Sequence, residues 1–193
     1  YFVDRMIGYL RSGQGSGKPF FAYVGFQANH VPIQAPAEFI AKYKGRYDQG
    51  WTALRQARRD RAAALGLVPA NTPMVTLPTT LDWAAQDAPT QRYEARRMEV
   101  YAAMAEAMDH HVGRLVAHLK TTGQYDNTVF VFLSDNGAEG SDYKTAQPWL
   151  WTQYTQDIDR LGSRATAALV GWRPGDPGLP GDVLERRPDV RGT

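Results

Sequence analysis

The chain has 193 residues, 43% of them hydrophobic and 22% charged, with 22 Lys and Arg against 20 Asp and Glu for a net charge of +2. That balance suits one soluble globular domain and excludes a charge-driven nucleic-acid or acidic-membrane partner; the absence of cysteine excludes disulfides, zinc–thiolate sites and a cysteine nucleophile in this chain. Ten Tyr, seven Phe and five Trp rule out disorder throughout, and no apolar run approaches the roughly 18–20 residues of a membrane span. The start, Tyr1-Phe2-Val3-Asp4-Arg5, reads as the interior of a larger protein rather than as a signal peptide, which leaves cytoplasm and periplasm both open.

Along the chain, Phe2, Val3, Met6, Ile7 and Leu10 have helical spacing, ended by the Gly-rich loop from Ser12 to Gly17. The uncharged run from Pro19 to Phe26 has the length of a strand buried on both faces. Pro32 and Pro36 punctuate the loop that follows. A basic helix is expected over Trp51–Leu65, then an irregular connection from Val68 to Pro89. Tyr101, Ala105, Met108, Val112, Leu115 and Leu119 step by three and four, predicting an amphipathic helix from about Thr90 to Lys120 that Gly123 ends. A second strand is expected over Thr128–Leu133, stopping at Ser134-Asp135-Asn136-Gly137. Helix and strand in this order predict an α/β fold with helices against a sheet. The segment from about Arg164 to Thr193 is rich in Gly and Pro, lacks periodicity and is expected to be disordered.

Few residues here carry chemistry by their pattern alone. The loop Gly13–Lys18 lacks the Gly and Ser/Thr positions of a phosphate loop, and its helix-to-strand order is reversed. No Gly-x-Ser-x-Gly elbow is present. His110, His111 and His118 read as solvated helix residues, because only His111 and His118 share a face and they stand about 10 Å apart. His30 follows the first expected strand, where ligands of open α/β sheets bind, and can donate to an anion or move a proton; an ordinary loop histidine is the alternative. Asp135 and Asn136 follow the second expected strand and offer hard oxygens to Ca²⁺ or Mg²⁺, with a simple Asx turn as the alternative.

Four stretches in this order resemble the sulfatase family of the alkaline phosphatase superfamily, bacterial arylsulfatases above all. They are Lys18–Phe21 leading to His30-Val31-Pro32-Ile33-Gln34-Ala35-Pro36; Tyr43-Lys44-Gly45-Arg46-Tyr47-Asp48-Gln49-Gly50-Trp51; Met98–Met104 with Met108-Asp109; and Asp126-Asn127-Thr128 through Ser134–Gly140. The resemblance implies an α/β fold, part of an alkaline-phosphatase-like, mainly parallel sheet flanked by helices and incomplete at both ends. Residues 1–163 would be a partial catalytic domain and 164–193 an atypical tail. It further implies a sulfuric ester hydrolase in which Asp135 and Asn136 are two ligands of a divalent cation, usually Ca²⁺, while His30 contacts the sulfate group of a sulfate ester substrate. The family's nucleophile, a formylglycine made in a Cys/Ser-x-Pro-x-Arg motif, has no counterpart in this sequence, nor do two further metal aspartates or a downstream sulfate-contacting lysine; Lys144 lies in unmatched surroundings. The chain by itself is therefore expected to be inactive. Two other readings accompany this one: a non-catalytic interaction remnant, and a phosphatase or phosphonate hydrolase of the same superfamily. A nucleic-acid binder built on Arg55, Arg58, Arg59 and Arg61 is weaker, since one solvated basic face explains those residues.

Overall fold

The computed structural model describes residues 1–30, 33–74 and 81–137. Four α-helices form in them, α1 (Phe2–Gly13), α2 (Ala37–Ala41), α3 (Gly50–Ala64) and α4 (Ala88–Thr121), followed by a single 3₁₀ turn at Tyr125–Asn127. The long helix α4 organises the rest: α1, α2 and α3 all pack on it.

Local signals set both ends of α4. Asp87 is its N-cap, accepting from the Thr90 N–H at 2.7 Å, and a proline stands in the first turn, where its missing donor costs nothing. At the other end Gly123 adopts φ +69°, and two bonds close the turn: Gln124 N–H to Leu119 O at 2.9 Å and Gly123 N–H to Lys120 O at 3.1 Å. This is a Schellman motif, which needs the left-handed residue that glycine supplies without strain. Helix α3 ends the same way at Gly66, with Leu67 N–H on Ala62 O at 2.9 Å.

The core lies between α2 and α4. Phe39 and Ile40 of α2 pack against Val100, Ala103, Met104 and Ala107 of α4, with Ala28, Ile33, Ala35 and Tyr43 around them. The buried stripe is thus Val100–Ala103–Met104–Ala107, rotated by about one residue from the expected face. Of that expected face only Leu119 is buried, and Tyr101 is 49% exposed. Small alanines decide the difference: they let α2 approach α4 closely, whereas Tyr101 and Ala105 line an open groove. Helix α2 itself was expected as loop; Pro36 sits at its N-cap and starts it.

One buried acid sits beside this core. Glu99 is 6% exposed; its Oε1 accepts from the Gly45 N–H at 2.7 Å and its Oε2 from Arg96 Nη1 at 2.9 Å. Both carboxylate oxygens are therefore satisfied, which a buried charge requires. Glu99→Ala leaves the Gly45 N–H and the Arg96 guanidinium without their acceptor. It is expected to lower stability by about 2 kcal/mol, read as a drop in the urea midpoint, with Glu99→Gln losing less because an acceptor remains.

No two described segments pair as strands. The two runs expected to form strands have no strand assigned and are largely bared: Phe21 is 94% exposed, and Val129, Val131, Phe132 and Leu133 all lie on the surface. The sheet itself is not displayed by the described residues. The tail expected to be disordered, the boundary near residue 163, Lys144 and Ala138–Gly140 lie outside the described residues.

Candidate functional site

His30 closes a turn at the end of the first extended segment, its N–H donating to Gln27 O at 2.8 Å, and its side chain is exposed. Next to it, Asn29 is tied to α4: Nδ2 donates to the Tyr101 carbonyl across 3.4 Å, a long bond, while Oδ1 is buried without a hydrogen-bond partner among the described residues. Three of the four stretches that carry the resemblance therefore meet on α4. The His30 loop touches it at Tyr101, and the Gly45 turn touches it at Glu99. Neither Asn29 nor Glu99 stood out in the sequence. The only signal for Glu99 was an acid set inside an apolar helix face.

Asp135 and Asn136 stand in the bend that follows Thr128–Leu133, both exposed. The turn is closed by its own side chains: Ser134 Oγ donates to Asn136 O at 2.6 Å, and Asn136 Nδ2 donates to Gly137 O at 2.7 Å. Neither bond has an Asp or Asn side-chain oxygen accepting from a backbone N–H two residues on, as an Asx turn would, and neither uses the Asp135 carboxylate or Asn136 Oδ1. Two hard oxygens on adjacent residues fit part of the donor set of a divalent cation, which takes about six. Among the described residues no three acidic, histidine or cysteine side chains gather into a cation site, so these two would be a partial set.

A groove of about 740 Å³ lies beside α4, with Tyr43, Tyr47, Leu54, Arg58, Met98 and Tyr101 in its walls. Tyr43 and Tyr47 stack with ring centroids 6.4 Å apart. At one edge Lys42 forms an ion pair with Glu106. Lys42 and then Tyr43, each hydrogen-bonded to it, hold the Glu106 carboxyl below the usual range; the same Glu106 bond, with burial, raises the Tyr43 phenol. The arginines of α3 are not one solvated face: Arg59 bends back onto the carbonyls of Thr72 (2.9 Å) and Ala70 (2.6 Å). Nor are the helix histidines simply solvated. His110 is exposed with its ring edge-on to Phe39, while His111 and His118 are half-buried and His118 Nε2 has no hydrogen-bond partner among the described residues.

Residues 1–159 match the sulfatase family. The chain belongs to that family. An uncharacterized sulfatase of Schizosaccharomyces pombe is 43% identical over 145 residues, covering 73% of this chain and 26% of the relative. An arylsulfatase of Klebsiella aerogenes is 38% identical over 156 residues, covering 80% of this chain and 34% of the relative. A multifunctional alkaline phosphatase superfamily protein of Trinickia caryophylli is 30% identical over 146 residues, 74% of this chain and 28% of that protein. The chain thus spans about a quarter to a third of the length of these curated relatives. Sulfatases have the alkaline-phosphatase-like fold. No helix in the described residues is long and apolar enough to cross a membrane.

Proposed function

We propose that this sulfatase chain forms part of the active site of a sulfuric ester hydrolase, with His30 on the sulfate group and Asp135 and Asn136 on a divalent cation, Ca²⁺ by resemblance. The observation that carries this reading is the family match over residues 1–159, within which both loops end uncharged extended segments. Ligands of such folds gather beyond the strand ends, so segments that become neighbours in a completed sheet bring His30 and Asp135 to one edge. The His30 imidazole donates a hydrogen bond to a sulfate oxygen, and Asn29 ties its loop to α4. The cation, when bound, neutralises the oxygens of the transferring group. The nucleophile has to come from another segment, since this sequence has no cysteine and no Ser-x-Pro-x-Arg.

The test is a chimera in which the matching segment of the Klebsiella aerogenes arylsulfatase is replaced by the segment of this chain that aligns with it. The chimera is expected to hydrolyse an aryl sulfate, and its His30→Ala variant to lose about a hundredfold in kcat/KM. The 193-residue chain assayed alone is expected to give no turnover. Unchanged kcat/KM in the His30→Ala chimera removes His30 from the site; an aryl phosphate turned over in preference to the sulfate moves the chain to the phosphatase reading.

A further inference from the structure

Helix α1 packs on α4, and an ion pair joins the two. Val3, 2% exposed, is the buried residue of α1. The charged contact is Asp4 Oδ1 on Arg114 Nη2 at 2.5 Å. Arg114 is held a second time on its own helix, where Nη1 lies 3.1 Å from Nδ1 of His111, one turn back. A guanidinium has only donors, so this contact requires a neutral His111 with its proton on Nε2. Protonating Nδ1 removes the acceptor and sets two cations against each other.

The charged and titratable groups facing His111 are Arg114 and His110 on α4, Asp4 on α1 and, in the 193-residue chain taken by itself, the Tyr1 amino group. Burial of the ring, then Arg114, His110 and the amino group, disfavour a positive charge on His111; Asp4 alone favours it. Together they hold the imidazole below its usual pKa. Asp4 is itself held below the usual carboxylate range by Arg114 and then the amino group, so it remains charged through the range in which histidine titrates.

We propose that His111 is a pH-sensitive clasp: neutral, it steadies the Arg114 guanidinium on Asp4 and keeps α1 docked on α4; protonated, it displaces Arg114 and loosens α1. The sign follows from linkage. A histidine whose folded pKa is depressed contributes stability that is full above its unfolded value of about 6.5 and is lost as pH falls through the folded value. Because α1 leads through the turn at residues 14–17 into the extended segment that ends at His30, loosening it frees the far end of that segment.

Amide hydrogen exchange of the 193-residue chain at pH 7.5 and pH 5, corrected for intrinsic exchange, tests this. Opening of α1 relative to α3 is expected to rise about threefold or more at the lower pH. His111→Gln, which keeps an uncharged acceptor for Arg114, is expected to leave α1 docked and to abolish the rise, whereas His110→Gln is expected to keep it. Arg114→Gln is expected to open α1 equally at both pH values. A wild-type chain without the rise, or a His111→Gln chain that keeps it, overturns the clasp; so does loss of the rise in His110→Gln alone.

Discussion

Gly50→Ala is expected to destabilise the chain by about 3 kcal/mol, among the largest effects of any single methyl added to it. Gly50 opens α3 with φ +70°, a conformation that L side chains avoid. The strain of that backbone is the smaller part of the effect. A Cβ built at Gly50 falls 2.0 Å from Cδ2 of Trp83 and 2.2 Å from its Cε2, well inside contact. The indole has nowhere to retreat: Trp83 is buried, and Trp51 meets it edge-on with centroids 4.7 Å apart. Trp51 is fixed in turn by its Nε1 donating to Leu81 O at 2.9 Å. Urea unfolding followed by tryptophan fluorescence reads the loss. A double-mutant cycle identifies the cause: Trp83→Ala costs stability alone, yet Gly50→Ala added to it should cost only the backbone strain of about 1 kcal/mol. Strict additivity of the two would show that the indole is not what the methyl meets.

How far the fold was legible in the sequence is best seen on α4. Its existence, its length and its end at Gly123 followed from periodicity and one glycine, because helix ends are set by neighbouring residues. The face it buries did not follow. Two apolar stripes run side by side along the helix, and choosing between them needs the partner, here α2 and its Phe39 and Ile40. Helix α2 was hidden for a related reason: at five residues it is too short to show a period, and only its packing on α4 distinguishes it from a loop. Gly50 looked like one turn residue among many until Trp83, 33 positions on, was seen to fill the space a side chain would need.

The site divides along the same line. His30, Asp135 and Asn136 could be placed in loops because chemistry-bearing residues after uncharged extended runs are recognisable from one sequence. What ties the His30 loop and the Gly45 turn to α4 was not readable. Gly45 to Glu99 and Asn29 to Tyr101 are contacts 54 and 72 residues apart, made by residue types that occur everywhere in proteins. The two bared segments show a third limit. Their sequences ask for strand neighbours, and no described segment supplies them; the relatives matched here are three to four times longer than the part they share with this chain.

Asp135→Ala is expected to lower kcat/KM for an aryl sulfate by about a hundred- to a thousandfold in the arylsulfatase chimera. The carboxylate is the only formal negative charge in the pair Asp135–Asn136, and a hard cation is held largely by such charges. With Asp135 on the cation, removing it would weaken the ion and with it the neutralisation of the sulfate oxygens, an interaction that strengthens as charge develops in the transition state. Asn136→Ala removes a neutral oxygen and should cost less. The turn itself should survive Asp135→Ala, since its closing bonds run from Ser134 to Asn136 and from Asn136 to Gly137. The loss should therefore appear without a matching fall in stability.

The most direct measurement is a calcium titration of aryl-sulfate turnover by the chimera with and without Asp135→Ala, after chelation has removed bound metal. With Asp135 and Asn136 on the cation, activity of the unsubstituted chimera returns as Ca²⁺ is added. In the Asp135→Ala chimera the midpoint then moves to a Ca²⁺ concentration at least tenfold higher, or activity does not return. Identical titration curves for the two proteins would contradict the assignment and return Ser134–Gly137 to an ordinary turn.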